Sequence, residues 1–133
     1  MAIILDADVI IGTEKGTFDL KTWMLSHADE EFEIATITVA ELWHGVERAS
    51  VSHRSRRGLF VKTVLEKLAV IPYTETTAFE HARLWASMES AGTIIGAHDL
   101  IVAATALERG SAVATFNQRH FSQVRGLKLI ELK

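Results

Sequence analysis

Residues 99–117 read Asp-Leu-Ile-Val-Ala-Ala-Thr-Ala-Leu-Glu-Arg-Gly-Ser-Ala-Val-Ala-Thr-Phe-Asn. From Leu100 to Leu107 no polar face interrupts the apolar residues, so this segment reads as a helix buried nearly all round. Asp99 is its first residue, and Gly110 closes its C-terminal end. A second short apolar run, Ser111 to Thr115, follows directly and reads as a strand. A wholly buried helix feeding a short strand belongs in a layered α/β sheet covered on both faces.

The rest of the chain repeats that alternation. Ala2 to Leu5, Glu33 to Ile37, Leu68 to Pro72 and Lys128 to Leu132 read as further strands, being short, rich in β-branched residues and bounded by polar or turn residues. Between them, helices are expected at roughly Leu20 to His27, Val39 to Ala49, Ser55 to Lys67 and Thr77 to Ala91. The last is amphipathic, with Phe79, Ala82, Leu84, Trp85 and Met88 against Glu80, Arg83 and Glu89, so it is expected to pack on one side only. The predicted architecture is a three-layer α/β/α domain around a mainly parallel sheet of about five strands. No linker or repeat divides the chain, and with 133 residues, 48% of them apolar, one domain spanning 1–133 is the expectation.

Composition narrows the chemistry. The chain has no Cys, which excludes disulfides and thiolate zinc sites and suits a reducing, cytoplasmic setting. Any metal must then be held by Asp, Glu, Asn or His, and oxygen-rich sets favour Mg²⁺ or Mn²⁺. The apolar start is short and lacks a basic flank, and no apolar run approaches a membrane span, so a soluble, unprocessed protein is expected. The net charge of −3 is unlike that of a simple electrostatic nucleic-acid binder. Its distribution is uneven, however: from Arg48 to Lys67 there are six basic residues and a single acid, Glu66. Such a run is either a solvated helix face or a grip for phosphates; Arg54, Arg56 and Arg57 are the candidate phosphate contacts.

In a parallel sheet, ligands bind beyond the carboxyl ends of the strands. That rule singles out Asp6 and Asp8 after the first strand, Glu41 in the helix after the second, Asp99 at the start of the buried helix, and Asn117 after the fourth strand. Each has a structural explanation of its own. Thr38 to Glu41 has the form of a capping box, Asp99 suits a helix N-terminus, Asp6 or Asp8 can close a turn, and Asn117 can cap a short helix reaching Phe121. Their coincidence at one edge needs more. Carboxylates within about 4 Å repel by about 4 kcal/mol per pair at an effective dielectric near 20, so a cluster must take up protons or a cation. Mg²⁺ typically combines a few protein oxygens with waters and substrate phosphate, which points to a phosphate ester as substrate.

With these residues in place the sequence resembles a PIN-domain ribonuclease of the VapC toxin type. The matching segments are ILDADVII (4–11), TITVAELWHGVERAS (36–50), GTIIGAHDLIVAATALERG (92–110) and ATFNQRHFSQVRGLKLI (114–130), in the family's order and spacing. The resemblance implies the toxin of a type II toxin–antitoxin pair, a Mg²⁺- or Mn²⁺-dependent endoribonuclease that hydrolyses RNA, usually homodimeric and restrained by a VapB-like antitoxin. DNA contact is implied only through that antitoxin. Asp6, Glu41 and Asp99 fall at the family's acidic metal positions, Asn117 at its fourth polar position, and Thr115 at a hydroxyl beside it. Thr38 is a supporting candidate. The chain departs from the usual Asp-Thr-Asn or Asp-Thr-Ser by having Asp6-Ala7-Asp8. Asp8 ranks below Asp6, Glu41, Asp99 and Asn117, as a candidate support of the site.

Competing readings make distinct demands. A haloacid-dehalogenase-type phosphatase with Asp6 as nucleophile needs a Thr where this chain has Ile10. A receiver domain needs an acceptor Asp after the third strand, where the chain reads Val70-Ile71-Pro72-Tyr73-Thr74-Glu75. A degenerate PIN domain that only binds RNA or its partner fits less well with three acids present. Glu41-x-x-His44 has the spacing of a di-iron half-motif but no second copy. His98 and His120 are expected at the surface or behind the site, and Trp23, Trp43 and Trp85 in the core or a dimer interface.

Overall fold

The computed structural model describes residues 1–132. Five strands, β1 (Ala2–Leu5), β2 (Glu31–Ala35), β3 (Ala69–Ile71), β4 (Ala112–Ala114) and β5 (Lys128–Ile130), form one parallel sheet in the order β3-β2-β1-β4-β5. Each neighbouring pair is parallel, with Ile4 opposite Glu33 on one side and Val113 on the other. Helices supply the crossovers: α1 (Ala7–Glu14), α2 (Leu20–Ser26), α3 (Thr36–Arg48), α4 (Val51–Leu65), α5 (Glu75–Ser90), α6 (Ala97–Arg109) and α7 (Gln118–Phe121).

Alternation along β1 sorts the core into two layers. Ile3 and Leu5 face α1 to α4, packing with Val9, Ile10, Trp23, Leu42, Val46 and Val61. Ile4 faces the other way, against Met88 of α5, Leu100, Ala103 and Ala106 of α6, and Phe121 of α7. Complete burial of such an Ile or Leu contributes about 1.5–3 kcal/mol. The middle of helix α6 is enclosed, with Val102 to Ala106 all buried. Gly110 ends it at φ +69°, a left-handed conformation in which a side chain would be strained. Among the described residues no helix is long and apolar enough to cross a membrane.

The strand order reverses between β1 and β4: the chain proceeds outward from β1 through β2 to β3, then returns to the other side of β1 for β4 and β5. The loops after β1 and β4 therefore diverge to opposite faces and leave a crevice between them. Asp6 and Thr115 stand at its lip, and the Asp6 backbone N–H donates to the Ala114 carbonyl at 3.0 Å.

Several boundaries differ from the sequence expectation. Helix α1 was absent from it, because the β-branched run Val9 to Ile11 has little helical amphipathy. Asp6 nevertheless caps a helix there, its Oδ1 accepting from the Ala7 N–H at 2.9 Å. Strand β2 ends at Ala35, not Ile37, and α3 starts at Thr36, not Val39. The capping box is consequently not formed. Ala35 is the N-cap without a side-chain bond, Thr38 lies inside the helix, and its buried hydroxyl has no hydrogen-bond partner among the described residues. Helix α4 begins at Val51, ahead of Ser55. On α5, Met88 is buried, but Phe79 and Trp85 are 67% and 54% exposed, so the packed face is narrower than the periodicity implied. Trp23 is core, whereas Trp43 is also exposed.

Candidate active site

Ending β1 at Leu5 determines where the first two acids go. Asp6 is the N-cap and Asp8 the second residue of α1, and both carboxylates reach the Thr115 hydroxyl at the crevice. Buried Thr115, immediately after β4, joins them. Its hydroxyl lies 2.9 Å from Asp6 Oδ2 and 3.2 Å from Asp8 Oδ2, and it accepts the Asn117 N–H at 2.9 Å. One hydroxyl hydrogen thus serves two carboxylates, and the shorter contact favours Asp6. Asp8 is compensated by the Phe116 N–H, which donates to Oδ2 at 3.1 Å. The extra acid of this chain is therefore part of the cluster.

Asp99 enters from the other layer, in the first turn of α6 and half-buried. It is the third helical residue, not the first. The three carboxylates sense one another. Burial, then the charge of Asp8, then that of Asp99, push the Asp6 carboxyl up to about 7, against the opposing hydrogen bond from Thr115. Burial also raises Asp8, with a contribution from Asp99. Asp99 is raised by burial, while His120 and His98 nearby work in the opposite direction. These shifts mark a site where negative charge is concentrated beyond what its hydrogen bonds and neighbouring histidines offset.

The remaining candidates lie on the rim. Glu41, in the second turn of α3, is half-buried and 3.4 Å from His98 Nδ1. It lines a cleft of about 540 Å³ that also includes Ala7, beside Asp6, and His98, beside Asp99. Asn117 precedes α7 as its N-cap residue but makes no side-chain cap. Its amide instead lies 2.9 Å from His120 Nδ1. Among the described residues, no three His, Asp or Glu side chains yet converge on a single point. The donor set is nonetheless one of hard oxygens in mutual repulsion, and a hard divalent cation would relieve that repulsion. Of the basic candidates, Arg54 donates to the Glu47 and Ala49 carbonyls at the end of α3, and Arg57 pairs with Glu14 at 3.3 Å and donates to the Gly45 carbonyl. Arg56 is exposed.

Residues 3–127 match the PIN domain. The chain belongs to the PIN-domain family. Within that family it is similar to VapC ribonuclease Y4jK of Sinorhizobium fredii, at 33% identity with 96% of this chain and 95% of the relative covered. It is also similar to Ribonuclease VapC1 of Rickettsia felis, at 29% identity over 98% and 96%. The PIN fold is shared with the DNA-bound VapBC complex from Salmonella typhimurium at a TM-score of 0.91, with 25% identity and 100% and 99% of the two chains covered. Membership of this family sets aside the phosphatase and receiver readings.

Proposed function

We propose that this PIN-domain chain is the toxin of a type II toxin–antitoxin pair and a divalent-metal-dependent endoribonuclease, with Asp6, Asp99 and Glu41 as its acidic ligands and Asn117 beside them. The observation that carries the reading is the pairing of Asp6 and Asp8 on the Thr115 hydroxyl at the crevice where the strand order reverses, with Asp99 on the facing layer close enough for both to feel its charge. A bound Mg²⁺ or Mn²⁺ supplies charge neutralisation at a scissile phosphate and lowers the pKa of an attacking water. The protein's part is to present deprotonated carboxylates in a fixed arrangement. Asp6 is locked by Ala7 and Thr115, Asp8 by Thr115 and Phe116, and Asp99 by the rigid first turn of the buried α6. His98 steadies Glu41, and the Asn117–His120 contact closes the opposite side of the mouth.

The relatives' names and the VapBC complex support a VapB-like antitoxin as partner and RNA as substrate; DNA contact only through that antitoxin is part of the proposal. A homodimer in the cytoplasm is the accompanying proposal. The test is incubation of the purified chain with RNA: cleavage with Mg²⁺ or Mn²⁺, arrested by a chelator and lost in Asp99→Asn, is expected. Cleavage that survives chelation would remove the metal from the account.

A further inference from the structure

Helix α3 presents one stripe to the cleft that leaves the active site: Glu41, His44, Gly45 and Arg48 stand at successive three- and four-residue steps on its lining face. Across it lie Ile11 of α1 and Arg57 of α4. Glu41 marks the catalytic end. Arg48 stands two turns further along, about 10 Å at 1.5 Å per residue. Among the described residues, Arg48 and His44 are exposed and have no hydrogen bond or ion pair, whereas Arg54 and Arg57 spend donors on the protein itself. The cleft therefore passes from a carboxylate mouth to a cationic exit.

A polyanion whose scissile phosphate rests at the carboxylates must carry its next phosphates away from a chain of net charge −3. Arg48 offers a fork suited to a phosphate, and His44 a further donor on the way. We infer that the α3 stripe His44–Arg48 is a phosphate-binding subsite that holds the RNA backbone adjacent to the cleaved bond. The inference rests on the ribonuclease reading above and adds to it the path of the substrate.

The test is binding of a labelled short single-stranded RNA to the full chain carrying Asp99→Asn, which prevents turnover, at a series of KCl concentrations. Adding Arg48→Gln should lower affinity roughly three- to fivefold at low salt and reduce the salt slope by about 0.7, one phosphate contact on a single strand. Arg83→Gln on α5, remote from the cleft, should change neither. In the wild-type background Arg48→Gln should raise KM with little change in kcat, which a loss of fold would not produce. An unchanged salt slope overturns the subsite while leaving the ribonuclease reading intact. Arg48-dependent binding of a poly-glutamate peptide with unchanged RNA affinity would give the cleft to an acidic protein partner instead. No RNA binding by the Asp99→Asn parent would remove the ribonuclease reading, and the subsite with it.

Discussion

Asp6→Asn separates what the carboxylate does for activity from what it costs the fold. In the metal-free protein, the Asp6 carboxyl titrates at about 7, against an ordinary value of 3.8. Below about pH 3.8 the group is protonated in both folded and unfolded chains and adds nothing to the balance. As pH rises from there toward 7 the unfolded chain releases its proton and the folded chain does not, so stability falls, and above 7 the full penalty is present. At about 1.4 kcal/mol per pH unit the penalty is about 4 kcal/mol. Asparagine removes the charge and keeps the geometry: its carbonyl can accept from Ala7, and its amide can donate to Thr115, whose hydrogen then serves Asp8. Because a polar amide remains buried, the expected gain at pH 8 is about 2–4 kcal/mol, or roughly 8–15 °C in Tm for a chain of this size. Thermal unfolding followed by circular dichroism in EDTA, at pH 4 and pH 8, measures it. The gain should vanish at pH 4, and RNA cleavage should be lost at both. A variant no more stable than wild type at pH 8, or equally stabilised at both pH values, would refute the electrostatic account of the cluster.

Because Asp6 must shed its proton to bind a cation, Mn²⁺ affinity should climb as pH rises from about 5.5 to about 7.5 and level off above about 8, read by titration calorimetry with proton release; a flat profile contradicts this. Thr115→Val removes the hydroxyl that binds Asp6 and accepts Asn117 N–H, so Mn²⁺ affinity should drop about 10-fold or more and stability by about 1–3 kcal/mol, measured by titration and urea unfolding. Away from the site, Glu33 is 2% exposed and held by Arg109 and the Ser111 hydroxyl. Arg109→Met should cost about 3–5 kcal/mol in urea unfolding by leaving that carboxylate buried and unpaired, and Arg109→Met with Glu33→Gln should recover part of it.

The layered parallel fold was legible because its evidence is a long-range property of the sequence. Short apolar runs alternate with helical ones, and an unbroken apolar helix ends in Gly110. Asp6, Asp99 and Asn117 could be placed at one sheet edge by the same logic, since topology alone carries residues after strands to that edge. What the sequence did not disclose depends on where elements begin. Ending β2 two residues late, at Ile37 instead of Ala35, turned Thr38 and Glu41 into an apparent capping box, although tertiary packing starts α3 at Thr36, whose hydroxyl donates to the Ile71 carbonyl at 2.6 Å. Reading Asp6 as an N-cap with Asp8 in the first helical turn was the available signal for α1. Arg48 was visible only as one member of a basic run, because its distinction, sharing a helix face and a cleft with Glu41, is geometric.

The central claim is that Asp6 and Asp99 together hold the cation on which RNA cleavage depends. Electron paramagnetic resonance of Mn²⁺ added to the purified chain at pH 8, read alongside cleavage of the same RNA, tests it most directly. Wild-type protein should bind Mn²⁺ and cleave, while Asp6→Asn and Asp99→Asn should remain folded yet lose both the bound-Mn²⁺ signal and cleavage. Undiminished Mn²⁺ binding and RNA cleavage in either variant would contradict the account.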